Sequence, residues 1–152
     1  MTLPRGATGF WDAGDGPPAR VDAAAFRAAV HEAARQVGGR VERFEPPGIT
    51  PNFDLMVIAV GQELTGVVCH PLLPWLALTR PPGDAGRPLT FRDDPALVSA
   101  LERTAPFRVL DTATLATPVG RLDLSTLDRS ERDQVAFWAP ATLGELVFNW
   151  WD

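Results

Sequence analysis

The clearest pattern along the chain is helical. In VDAAAFRAAVHEAARQVGGR, Phe26, Val30, Ala33 and Val37 recur at the helical period while Arg27, Glu32 and Arg35 face away. Asp22 stands where an N-cap belongs, and Gly38-Gly39 stands where a helix stops. The spacing predicts a helix over about 22–38. A different pattern follows in FDLMVIAVGQELTGVVCHP. Leu55 to Val60 is apolar on both alternating faces, as in a strand buried on both sides. Gly61-Gln62 fits a two-residue turn with glycine first, and Leu64 to His70 returns antiparallel, with Gly66 marked as a bulge. Trp75 to Thr79, set off by Pro71 and Pro74 and closed by Pro81-Pro82, completes a meander of strands over about 53–60, 63–70 and 75–79.

The remaining segments carry shorter signals. Val41 and Phe44 suggest a short strand stopped by Pro46-Pro47. Asp94, Pro95 and the stripe Leu97, Val98, Leu101 predict a second helix over about 95–104, stopped by Pro106. Phe107 to Leu110 reads as a strand, TLDRSERDQ as one or two helical turns, and VAFW as another short strand. Thr142 and Glu145 have capping-box spacing and open a last helix over about 142–151. The first twenty residues are rich in glycine and proline and read as loop, or as a short edge strand at Gly9 to Trp11 followed by turns. The order of elements describes one α+β domain over 1–152, built on a mostly antiparallel sheet with cover on both faces.

Composition refines this picture. A chain of 152 residues buries about two-thirds of the surface its unfolded form exposes. All its basic residues are arginine, tyrosine is absent, and alanine, glycine and proline abound, which is the usage of a high-GC bacterial genome. The net charge of −5 argues against nucleic acid and anionic membrane surfaces as partners, and it suits a basic protein. No apolar leader or membrane-length run is visible, so a cytoplasmic location is expected.

Reactive constellations are missing. There is no phosphate loop, dinucleotide fingerprint, nucleophile elbow or zincin motif. Two histidines, His31 and His70, are too few for a histidine-rich metal site. Cys69 is alone in an apolar, strand-like setting and reads as a buried thiol. DAGDG, Asp12 to Gly16, lacks the alternate acids and closing glutamate of a calcium loop, and Asp93-Asp94 reads as helix capping. No catalytic residue, metal or cofactor is expected.

The chain ends in LGELVFNWWD. Projected as a helix, Leu143, Leu146, Val147 and Trp150 form one stripe, with Phe148 and Trp151 on a shoulder and Glu145, Asn149 and Asp152 in the polar sector. Either the shoulder packs against the similarly aromatic GFWD of Gly9 to Asp12, or Trp151, with or without Trp11, is a partly exposed anchor beside acidic groups. On the second reading the candidate protein-binding residues are Trp11, Asp12, Asp15, Phe148, Trp151 and Asp152. Asp152 also sets negative charge at the negative end of a helix, which an arginine would relieve.

The motif at Gly144, Glu145, Phe148, Asn149, Trp151 and Asp152, with GFWD near the start, resembles the G-E-x-x-F-N-x-W-D tail of a family of small actinobacterial proteins. In size and acidity the chain is also similar to immunity proteins that neutralise secreted bacterial toxins. That resemblance implies a non-enzymatic acidic domain blocking a basic toxin. The alternative is a small enzyme or small-molecule binder with a pocket between sheet and helices.

Overall fold

Five strands lie in chain order in one sheet: β1 (Arg40–Glu45), β2 (Asp54–Val60), β3 (Glu63–Cys69), β4 (Trp75–Thr79) and β5 (Arg108–Val109). The first four pair antiparallel and β5 joins β4 in parallel. The helices are α1 (Ala23–Gln36), α2 (Pro95–Glu102), α3 (Thr112–Leu115), α4 (Arg129–Trp138) and α5 (Leu143–Val147). The computed structural model describes residues 1–45, 52–81, 89–104 and 106–151. Asp152, the Pro46-Pro47 stop and Pro82 lie outside the described residues. The molecule is a single α+β domain with the expected meander.

The alternation of side chains across the pleat explains the layering. Met56, Ile58, Val67, Cys69, Leu76 and Leu78 face Phe26, Ala29, Val30 and Ala33 of α1 and Leu97, Ala100 and Leu101 of α2. Leu55, Val57, Val68 and Ala77 face the opposite way, against Leu3 and Ala7, Leu115 of α3, and Leu143, Leu146 and Val147 of α5. β2 is therefore buried at every position but its last. The caps work as their sequence suggests: Asp22 accepts from Ala24 N–H and Asp94 from Leu97 N–H.

Several expectations are corrected. Gly66 is no bulge, since β2 and β3 pair without interruption from Asp54↔Cys69 to Val60↔Glu63. A Cβ built there would lie 2.5 Å from Thr79 Oγ1, so β4's threonine requires the glycine. The register shift falls instead in β1, between Val41 and Arg43. Asp93 does not cap α2; it accepts from Thr112 N–H at 3.0 Å and Thr112 Oγ1 at 2.6 Å and so ties α3 to the entrance of α2. VAFW is no strand but the last turns of α4. Gly9 to Trp11 forms no strand; the N-terminal segment instead makes a single bridge, Thr2 to Asp123. The last helix ends at Val147 rather than 151, because Phe148 leaves the helical region at φ −113° and ψ 65°. Among the described residues no helix is long and apolar enough to cross a membrane.

The N-terminal loop is the least expected feature. Leu3, Ala7 and Thr8 are fully buried, yet this stretch has no regular ladder to satisfy its backbone. Three buried side chains do so. Glu131 Oε1 accepts from Gly6 N–H at 3.0 Å, Thr8 N–H at 3.2 Å and the Thr8 hydroxyl at 2.8 Å, while its Oε2 accepts from Asp128 N–H at 2.9 Å. His70 Nε2 donates to Ala7 O at 2.8 Å, and its Nδ1 accepts from Leu72 and Leu73 N–H, both at 3.1 Å. Asn149 Nδ2 donates to Thr8 O at 2.9 Å.

Two outcomes follow. Glu131→Ala leaves four donors without their acceptor, each worth about 1–3 kcal/mol when buried, so chemical denaturation should show a loss of at least about 3 kcal/mol; a loss below about 1 kcal/mol would contradict this account. For His70, burial is the main cause that lowers its pKa, to about 4 from 6.5, against the smaller opposing effect of its bond to Ala7. Between those values the unfolded chain binds the proton and the folded one does not, so stability is intact above about pH 6.5 and falls as pH drops toward 4. The full span amounts to about 3 kcal/mol. His70→Asn, which keeps an acceptor near Leu72 and Leu73, should flatten that limb of the melting-temperature profile; an unchanged limb would assign the acid sensitivity elsewhere.

Candidate functional site: an aromatic groove at the end of α4

α4 begins on the N-terminal loop and ends on the C-terminal tail. DRSE supplies its start, with Asp128 as N-cap and Glu131 reaching back to the cap's N–H. At its other end Ala139 adopts the left-handed conformation, φ 47° and ψ 57°, and turns the chain toward Pro140. Thr142 Oγ1 then accepts from Glu145 N–H at 3.3 Å, while Glu145 Oε2 accepts from Ala141 N–H at 2.7 Å, one residue before the position a capping box would use. Gly144 admits the ring of Phe91, whose Cε2 lies 2.5 Å from where a Cβ would stand.

Asn149 sets the path of the tail. Its Nδ2 donates to Leu146 O as well as Thr8 O, and its Oδ1 accepts from Trp151 N–H at 3.2 Å and Asn52 Nδ2 at 2.6 Å. The amide is used to capacity. Asn52 adds bonds from its N–H to Asn149 O and from its Nδ2 to Trp151 O. Phe148, released from the helix, is buried with its ring centroid 6.0–6.4 Å from Phe53, Phe91 and His70. Trp151 is 7% exposed and stacks on Trp138 of α4, with ring planes 2° apart and centroids at 6.1 Å. The expected helical shoulder is thus replaced by an extended tail. Its aromatic rings are anchors, and Asn149, assigned to a polar face, is buried.

Between α4's end and the tail lies an open groove of about 290 Å³ lined by Trp138, Glu145, Phe148, Trp150 and Trp151. Phe137 stands beside it, 78% exposed, edge-on to a Trp138 that is 39% exposed. Trp138 Nε1 donates to Gln134 one turn earlier. Neither Phe137 nor Trp138 was a candidate from sequence. Their signal was the amphipathic pattern of SERDQVAFW, which continues the helix from DRSE and leaves Phe137 on its polar side.

The candidates at the two chain ends do not meet. Phe148 and Trp151 line the groove, whereas Asp12 and Asp15 gather at the opposite end of α4, about 14 Å away along its axis. There one oxygen each from Asp12, Asp15 and Asp128 lies within 4.8 Å of the others. The protein supplies donors for two of the three: Asp12 accepts from Ser130 N–H at 2.9 Å, and Asp128 accepts from Asp12 N–H and Arg5 Nε, both at 2.8 Å. This arrangement caps α4. Trp11 is half-buried beside it. GFWD joins the start of α4 through Asp12, while its Phe10 packs against the core cluster that holds Phe148 and Trp151 of the tail.

No protein-family model, curated protein or solved structure matches the chain. The geometry separates anchor from surface within one aromatic group. Trp151→Ala, which empties a buried site under Trp138, should cost about 3 kcal/mol in denaturant. Phe137→Ala should change stability by less than about 0.5 kcal/mol. Equal effects of the two would contradict the assignment.

Proposed function

We propose that this chain is a non-enzymatic protein-binding domain whose recognition surface is the groove beneath Trp138 together with Phe137 on its rim. The observation that carries the reading is the exposure of two adjacent aromatic rings, Phe137 and Trp138, beside an open concavity. Scattered apolar side chains are ordinary on a surface, but paired large rings at a groove are the material of binding hot spots. Glu145 in the wall and the net charge of −5 favour a basic occupant. An arginine-bearing segment fits best, because a guanidinium stacks on an indole face and pairs with a carboxylate. A basic toxin, inactivated by being covered, is the partner class that the chain's size and acidity support.

Tagged wild-type protein and Phe137→Ala, incubated with lysate of the source organism, test this directly. A basic protein should be retained by the wild type and bound at least about 30-fold more weakly by the variant, at an unchanged melting temperature. Undiminished retention by the variant, or no specific protein retained, would overturn the proposal.

A further inference from the structure

A second concavity lies on the other face of the sheet. It has a volume of about 240 Å³ and sits where the entrance of α1 meets the ends of β1 and β2 and the turn after β3. Val21, Phe44 and Pro71 form apolar walls, and Val21 N–H is bonded to Pro71 O at 2.9 Å. Arg20 and Arg27 stand at the mouth, both exposed, with the Arg27 guanidinium 5.0 Å from the centre of the Phe44 ring.

Asp54 lies within this concavity. As the first residue of β2 it shares a face with Met56 and Ile58 and therefore points toward the α1 core. It is 8% exposed, and its Oδ1 is buried without a hydrogen-bond partner. An unpartnered buried carboxylate oxygen costs more than almost any other single polar defect. Burial raises the Asp54 pKa, and the charges of Arg20 and Arg27 only partly offset that. An apolar residue would complete the α1 face at lower cost, so packing alone does not account for the carboxylate.

We infer that this pocket binds a small zwitterion, an α-amino acid with an apolar side chain, whose ammonium group donates to the Asp54 carboxylate. Its carboxylate meets Arg20 and Arg27 at the mouth, and its side chain lies against Val21, Phe44 and Pro71. The charge order supports this polarity, with an acceptor at the floor and two cations at the rim. The volume supports the size, being below the range of about 300–1,000 Å³ typical of sites for larger ligands. The pocket uses none of the residues of the aromatic groove, so either assignment can fail without the other.

Isothermal titration with leucine, valine and phenylalanine, alongside N-acetyl-leucine and isoamylamine, tests the inference. The free amino acids should give saturable heats and raise the melting temperature. N-acetyl-leucine, lacking the ammonium, and isoamylamine, lacking the carboxylate, should each bind at least about tenfold more weakly. Asp54→Asn and Arg20→Ala should weaken leucine binding by a similar factor, while Phe137→Ala leaves it unchanged. Arg20 is exposed, so its variant keeps the test valid if Asp54→Asn fails to fold. Absence of saturable binding at millimolar concentration, or binding indifferent to both substitutions, would overturn the inference.

Discussion

The carboxylate of Glu131 is where the first residues of this chain are joined to its longest late helix. An irregular segment can be buried only if something else satisfies its amides and carbonyls. Here Leu3 to Phe10 fills the space beside the sheet that a helix would ordinarily occupy. Glu131 takes two of its N–H groups and a hydroxyl, His70 supplies a donor to Ala7 O, and Asn149 supplies one to Thr8 O. Each belongs to a different element, so the loop acts as the common ligand of α4, the end of β3 and the tail. The aromatic groove inherits its shape from this arrangement: α4 is held at its first turn by Glu131, and the tail, whose path Asn149 sets, stacks Trp151 on Trp138 of α4's last turn.

The same residues explain what the sequence concealed. The meander was legible because each of its strands is specified locally, by alternation, by a glycine turn and by flanking prolines. α1 and α2 were legible through their caps and stripes. α4 was half visible in DRSE, whose aspartate and glutamate have capping-box spacing, but VAFW has the composition of a strand and hid the continuation. The tail failed for another reason. LGELVFNWWD has good helical periodicity, and contacts with Thr8 and Asn52, 141 and 97 positions away, draw Asn149 out of that helix. Neither periodicity nor propensity reports a bond across such distances.

The candidate site divides along the same line. Phe148 and Trp151 were identified as functional because tryptophan and phenylalanine are common at interfaces, but burial is the other use of a large ring, and the sequence does not separate the two. The surface aromatics turned out to be Phe137 and Trp138, which lay inside a misassigned element. Asp12 and Asp15 were grouped with the tail through the likeness of GFWD to NWWD; the fold sets them at opposite ends of one helix. Asp54 carried no sequence signal, since an aspartate before an apolar strand reads as an ordinary exposed edge.

The wide sequence separation within the buried loop also bears on how the chain is made. Gly6 and Glu131 are 125 residues apart, and Thr8 and Asn149 are 141 apart. A ribosome adding roughly 5–20 residues per second needs on the order of ten seconds to cover that interval. During that time α1 and the first four strands, whose partners are close in sequence, have all been synthesised and can assemble. Residues 3–10 are thus made early but enclosed late, and their apolar Leu3, Ala7 and Phe10 stay available to chaperones, proteases and neighbouring chains until α4 and α5 close over them.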